Sequence, residues 1–170
     1  METARVDGVS APRRTLPRSC RTEVVVDVPA EALWRVIADV TRVGEWSHEC
    51  RTVQWLGQAN AAVPGARFRG RNRSGSLRWA RVCEIMVADP PRELRWRTVP
   101  SGLFPDLTEW RIALEPVGDG TRIVQSFEVL RIARWLAWLI ARVNSAHRDR
   151  AAALTGDLHR LAAVAAADPR

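Results

Sequence analysis

Residues 107–129 read LTEWRIALEPVGDGTRIVQSFEV, and this stretch predicts the β-hairpin from which the rest of the fold can be read. Trp110, Ile112 and Leu114 alternate with mostly polar residues, as on a strand buried on one face. Gly118-Asp119-Gly120 is a strong signal for a hairpin turn. The inner face of the returning strand would carry Ile123, Gln125 and Phe127.

Upstream of this hairpin the pattern predicts further strands without intervening helices. They fall at residues 50–56, 65–73, 77–87 and 93–98. The strand 65–73 is the clearest, because four arginines alternate there with Phe68, Gly70 and Asn72. Both parities of 77–87 mix polar and apolar residues, so the sequence does not assign its faces.

The two ends of the chain add the remaining elements. A strand from Cys20 to Val28 is followed by an amphipathic helix over 30–40 and a short helical turn over 41–47, broken at Gly44. At the C-terminal end, apolar residues recur every three or four positions for about seven turns. This stripe contains Leu136, Ile140, Val143, His147, Ala151, Leu154, Leu158 and Leu161, and the candidate kinks are Gly156 and the Asn144-Ser145 pair.

The element order is therefore strand, two helices, six strands and one long helix. Strands in a run followed by a helix predict an α+β fold, with about seven strands in a curved antiparallel sheet that grips the C-terminal helix. We expect residues 1–18 to be a disordered tail, 19–166 to form the domain and 167–170 to be frayed.

Composition limits the functional classes. The 170 residues carry a net charge of +7, yet all 26 basic residues are Arg and eight Trp occur with no Tyr, which reflects GC-rich bacterial codons before function. Cys20, Cys50 and Cys83 form no CxxC pair, so we expect no disulfide framework, metal site or cofactor. No apolar leader or membrane-length run is present, and a cytoplasmic location is expected.

Several short pieces of the chain follow one another in an order known from one superfamily. They are Val28-Pro29-Ala30, Leu33-Trp34, residues 37–42, Gly44-Glu45-Trp46-Ser47, Gly65-Ala66-Arg67-Phe68, Glu84 with Asp89-Pro90-Pro91, Trp110 with Leu114-Glu115-Pro116, and residues 118–122. With them the chain resembles the START-like (SRPBCC) superfamily of polyketide cyclase/dehydrase and lipid-transport proteins from about Cys20 to Val164. The resemblance implies a helix-grip fold that serves binders, transporters and a few cyclases. His48 stands where such relatives often have Pro, and this departure is either neutral or places a titratable group near the cavity mouth.

A curved sheet and a long helix cannot touch everywhere, so an apolar cavity is expected between them. We expect Trp46 near its mouth. Strand parity assigns to its wall Phe68, Gly70, Asn72, Leu94, Trp96, Thr98, Trp110, Ile112, Ile123, Gln125 and Phe127, and the helix adds Leu136, Ile140, Val143 and His147. The polar members contact either a ligand or other protein groups and water, and the second interpretation is favoured for each.

Three functions remain open. The first is a carrier or sensor of an apolar lipid, polyketide or aromatic metabolite. The second is a cyclase- or dehydratase-like enzyme in the same cavity, for which His48 and His147 are the candidate acid or base residues and no nucleophile motif exists. The third is an RNA- or protein-interaction module, based on eight arginines assigned to the outer sheet face. They are Arg67, Arg69, Arg71, Arg73, Arg95, Arg97, Arg111 and Arg122, partly offset by Glu93, Glu109 and Glu128.

Nucleic acid is the less favoured partner, because in a chain without Lys arginine also fills ordinary solvated positions. A membrane surface is a further candidate partner. Trp135 and Trp138 are interleaved with Arg131, Arg134 and Arg142, and this pattern predicts a membrane contact or ligand gate if the two rings are exposed, or core if they are covered. The sequence does not indicate an oligomeric state.

Overall fold

The computed structural model of the chain describes residues 16–143 and 150–168. Its strands are β1 (Ser19–Val26), β2 (Cys50–Trp55), β3 (Arg67–Ser74), β4 (Leu77–Asp89), β5 (Glu93–Thr98), β6 (Leu107–Val117) and β7 (Gly120–Arg131). Its helices are α1 (Ala30–Ala38), a 3-10 turn (Val40–Arg42), α2 (Val43–Trp46), α3 (Arg134–Val143) and α4 (Arg150–Ala167). None of the helices in these ranges is long and apolar enough to cross a membrane.

The strands form one antiparallel sheet in the order β1-β7-β6-β5-β4-β3-β2. β2 to β7 pair with their sequence neighbours, and β1 joins the far edge beside β7, where Val24 lies opposite Ile123. The predicted β6–β7 turn forms at Gly118, whose φ of 58° is a conformation that glycine adopts without a steric penalty. The predicted α+β fold with a seven-stranded sheet and a C-terminal helix is confirmed.

The two faces of the sheet differ as the residue alternation predicts. On β3, Phe68 and Gly70 are buried while the arginines that flank them are exposed. On β4, whose faces the sequence leaves unassigned, the register pairs the inward Phe68 with Cys83 and Gly70 with Arg81. The inward side of β4 therefore carries a charged residue together with Trp79, Cys83 and Ile85.

The core lies where α1 and α4 pack against the β1–β7–β6 side of the sheet. Leu33 and Ile37 of α1 meet Leu158 and Leu161 of α4 there, and all four are fully buried with Ile123. Burial of such side chains stabilises a domain by about 1.5–3 kcal/mol each relative to exposure. This packing fixes the rotation of α4, and with it the side chains that α4 turns towards the rest of the sheet.

The C-terminal helix differs in detail from the predicted single stripe. Residues 144–149, with one candidate kink and His147, lie outside the described residues, as do residues 1–15 of the expected tail. Within α4, Ala151 is exposed although its spacing places it in the stripe, and Gly156 lies inside continuous helix. Arg150 and Asp157 instead lie with Leu154 at the cavity side.

Gly44 lies within α2 and does not break it. A Cβ atom built at Gly44 would stand 2.1 Å from the carbonyl oxygen of Arg51 at the start of β2. Glycine is therefore required because α2 and the β2 backbone approach too closely for a side chain.

Candidate functional site

A cavity of about 450 Å³ lies between the inner face of the sheet and the helices. Of the residues predicted to line it, the structure brings together Trp46, Phe68, Gly70, Asn72, Leu94, Trp96, Thr98, Trp110, Ile112, Gln125, Phe127, Leu136 and Ile140. Ile123 is instead part of the core, while His147 and the side chain of Val143 lie outside the described residues. Trp46, expected near the mouth, is almost fully buried in the cavity wall.

A row of three aromatic rings crosses the wall on neighbouring strands. Trp110 on β6 lies opposite Trp96 on β5 and Phe127 on β7. The two indole rings are nearly parallel with centroids 6.3 Å apart, and the Phe127 centroid is 4.9 Å from that of Trp110. These separations are in the range of favourable ring pairs, so the row is a firm apolar floor for a ligand.

The polar side chains of the wall fall into two groups. The Thr98 hydroxyl accepts a hydrogen bond from the backbone N–H of Thr108 at 2.9 Å, so the protein satisfies it. Gln125 is only 3% exposed, and its Oε1 has no hydrogen-bond donor in the described part of the chain. The Trp46 indole Nε1 is likewise buried there without an acceptor. Such groups are rare in proteins, and a water, an ion or a functional role of the group usually explains them.

His48, the candidate acid or base, is held by a carboxylate of α4. Its backbone N–H donates to Asp157 Oδ1 at 2.8 Å, and its Nδ1 lies 2.7 Å from Asp157 Oδ2. Because a carboxylate only accepts, the Nδ1–H donates, and the Nε2 of a neutral ring is left as an acceptor. Arg160 also donates to Asp157 and, through Nε, to the Trp46 carbonyl at 2.9 Å.

Asp157 is a site residue that the sequence analysis missed. It is 2% exposed and lies three residues after Leu154 on the apolar stripe of α4. A charged residue inside an apolar helical stripe was the available signal, because buried acids occur almost always with a partner.

Two arginines, Arg81 and Arg150, also line the cavity and were not predicted from the sequence. Arg81 of β4 donates to Asp106 at 2.6 Å and lies over the Phe104 ring. The guanidinium carbon of Arg150 lies 5.0 Å from the Phe127 ring centroid and 5.7 Å from that of Trp110. Arg81 was not predicted because β4 mixes polar and apolar residues on both faces. Arg150 was not predicted because it lies one residue before Ala151, which the sequence assigned to the apolar stripe.

The two cysteine thiols at the cavity are unreactive near neutral pH. Burial raises the pKa of the Cys50 thiol to about 11 and that of Cys83 to about 12. Both are therefore protonated near neutral pH, and the thiolate is the nucleophilic form of cysteine. In residues 16–143 and 150–168, no three His, Cys, Asp or Glu side chains are grouped so as to hold a metal ion.

The outer face of the sheet carries the eight arginines assigned to it, and five of them are paired with carboxylates. Arg67 and Arg97 share Glu84, Arg95 and Arg111 share Glu93, and Arg122 contacts Glu115. Arg69, Arg71 and Arg73 are exposed and make no ion pair within the described ranges. Part of the positive charge of this face is thus neutralised locally.

Helix α3 presents its two tryptophans to solvent. Trp135 is 57% exposed and Trp138 is 62% exposed, with exposed Leu139 beside them. The opposite side of α3 places Leu136 and Ile140 at the cavity. α3 therefore separates the cavity from solvent, and it presents apolar side chains to both.

The comparisons with known proteins agree with this architecture. The sequence profile of a family described as polyketide cyclase/dehydrase and lipid transport matches residues 17–166. No curated protein matches the chain significantly. Among solved structures, TTHA0849 of Thermus thermophilus is similar, with 18% identity, a TM-score of 0.65, and 89% of this chain and 99% of that chain covered.

Two further solved structures show the range of the similarity. The Polyketide_cyc-like protein Cgl2372 of Corynebacterium glutamicum has 25% identity and a TM-score of 0.54, and the match covers 91% of each chain. Major latex-like protein 151 of Panax ginseng has 10% identity and a TM-score of 0.61, with 85% of this chain and 95% of that chain covered. The fold is thus shared at low sequence identity.

Proposed function

Because the chain belongs to the polyketide cyclase/dehydrase and lipid-transport family, we propose that it binds an apolar small molecule in its cavity, as a carrier or sensor. The ligand class is a lipid, a polyketide or an aromatic metabolite. One observation carries the proposal: a cavity of about 450 Å³ is walled mainly by aromatic and aliphatic side chains and contains a few placed polar groups. Small-molecule sites in proteins have this size and chemistry.

Purified protein exposed to a cell lipid and metabolite extract is expected to retain an apolar species detectable by native mass spectrometry. Asn72→Trp should abolish retention, because position 72 is half-buried in the cavity wall and the larger ring would occupy the ligand space. Arg71→Trp is the matched control, since the adjacent side chain points to the outer face. Equal retention by both variants, or none by the wild type with any apolar candidate, would contradict the proposal.

A second candidate function is cyclase- or dehydratase-like catalysis in the same cavity. The observation that favours it is the His48–Asp157 pair, because an imidazole oriented through Nδ1 leaves Nε2 to exchange a proton. Asp157 would act as a positioning residue in this case. In the extract experiment, loss of water from the retained molecule that stops in His48→Gln would favour catalysis over carriage.

The carrier function would also involve a membrane surface with anionic lipids, which α3 would contact. Its exposed Trp135 and Trp138 are flanked by the exposed Arg131, Arg134 and Arg142. Tryptophan favours the membrane–water interface, and arginine is attracted to anionic headgroups. Contact through the wall of the cavity would bring the ligand close to the bilayer.

The protein is accordingly expected to sediment with phosphatidylserine-containing vesicles and less with pure phosphatidylcholine vesicles. Trp135→Ser combined with Trp138→Ser should weaken binding by about tenfold or more, because the apolar insertion is lost. Val25→Ser combined with Val63→Ser removes two exposed apolar side chains elsewhere and should leave binding unchanged. Equal losses in both double variants would exclude a specific role of α3.

The RNA- or protein-interaction alternative has weaker support. Five of the eight outer arginines already have carboxylate partners, so the face has less free charge than its composition suggests. Affinity for RNA that falls steeply with salt would favour this alternative.

A further inference from the structure

We propose that the cavity ligand is an organic acid, whose carboxylate is held by Arg150 while its apolar body lies on the aromatic row. This inference rests on the proposed ligand-binding function and narrows it to a chemical class. It starts from the position of Arg150, the first described residue of α4, whose guanidinium lies above Phe127 and Trp110 inside the cavity.

A guanidinium in this position is suited to an anion. The aromatic faces hold the planar cation by cation–π attraction, and its N–H groups point outward in the guanidinium plane, where a carboxylate accepts from them. Removal from water lowers the pKa of Arg150, an effect that Glu49 partly offsets. A desolvated cation attracts an anion more strongly than the same cation in water, because the surrounding medium screens it less.

A second polar group lies on the same part of the wall. Gln125 is two residues before Phe127 on β7 and faces the same side, so its side chain starts about 7 Å from that of Phe127. Its amide is buried, and its Oε1 has no donor in the described part of the chain. Because an amide can present either its oxygen or its NH₂ group, it can receive a protonated acid or donate to a carboxylate.

Two acids at the cavity have basic partners of their own. Asp106 is paired with Arg81, and Asp157 with His48 and Arg160. Glu49 also borders the cavity and its charge acts on Arg150, so the ligand carboxylate has to approach Arg150 from the side away from Glu49. The carboxylate of the ligand is therefore expected at the Arg150–Gln125 side, above the aromatic row.

Two fluorescent probes that differ only in the head group test the inference: 1-pyrenebutyric acid and 1-pyrenebutanol, titrated at a pH where the acid is ionised. The wild type is expected to bind the carboxylate about tenfold or more tightly than the alcohol, as for a charge-assisted hydrogen-bonded contact. Arg150→Gln should weaken binding of the carboxylate probe alone, so that the affinities for the two probes differ by no more than about twofold. Arg69→Gln removes the same charge from the outer face and should keep the full preference.

Each outcome is decisive. An alcohol that binds the wild type as tightly as the acid, or a preference that survives in Arg150→Gln, overturns the acid site and leaves the proposed function standing. Failure of both probes and of the extract experiment overturns the proposed function itself. If Arg150→Gln does not fold, Arg150→Lys can be tested in its place, because lysine keeps the positive charge but lacks the planar guanidinium. The Arg150→Lys variant should keep a reduced preference for the acid. An unchanged preference for the acid would overturn the guanidinium contact.

Discussion

Replacing Asp157 with alanine is expected to lower the free energy of unfolding by about 3 kcal/mol. The carboxylate is 2% exposed and accepts from the His48 backbone, from the His48 ring and from Arg160. Its removal leaves the His48 N–H without its acceptor and opens a small gap beside Leu154. His48 and Arg160 are partly exposed and can turn to water, so the loss should lie at the lower end of the range for broken buried pairs.

Urea denaturation followed by circular dichroism measures this loss directly. Asp157→Asn keeps an acceptor for the His48 backbone and should cost less than Asp157→Ala. Glu128→Ala removes an exposed carboxylate from the outer face of β7 and should change stability by no more than about 0.5 kcal/mol. An Asp157→Ala protein as stable as Glu128→Ala would show that the network contributes nothing to the fold.

Gly44→Ala is expected to destabilise the protein by about 3 kcal/mol. The added methyl group would meet the Arg51 carbonyl oxygen at 2.1 Å, well inside contact distance. A backbone carbonyl cannot rotate away as the end of a side chain could, so α2 or β2 must shift. The shift would displace Trp46 and His48, which follow Gly44 into the cavity wall.

The matched control is Gly102→Ala, where an added Cβ would meet nothing within 4 Å. We expect the Gly102→Ala variant to have the same urea midpoint of unfolding as the wild type. A Gly44→Ala protein with the same midpoint would mean that α2 can move away from β2 at no cost. If stability falls as expected, binding of a cavity probe should weaken as well, because two wall residues move.

The sequence could predict most of the wall residues on β3, β5, β6 and β7, because strand alternation assigns faces without knowledge of the partner strand. Phe68, Trp96, Trp110 and Gln125 were placed at the cavity by parity alone. Arg81 was not, since β4 mixes polar and apolar residues on both parities and only pairing with Gly70 determines its direction.

The polar site residues depended on contacts between distant parts of the chain. His48 was identifiable as a titratable group, but its partner Asp157 is 109 residues away along the chain. Arg150 lies over two rings from β6 and β7, and no local pattern reports such a contact. Exposure of Trp135 and Trp138 was equally undecided, because an apolar residue on a helix is explained as well by burial as by a membrane contact.

The sequence by itself determined the element order, the hairpin at Gly118, the α+β class and the inner face of most strands, because these follow from local periodicity and turn chemistry. Only the tertiary structure decided which charges reach the cavity and which are neutralised. Packing of α4 on β1 and α1 sets the helix rotation, and that rotation brings Arg150 onto the aromatic row and Asp157 to His48. Side-chain direction on a helix depends on what the rest of the chain buries, and that is a property of the whole fold.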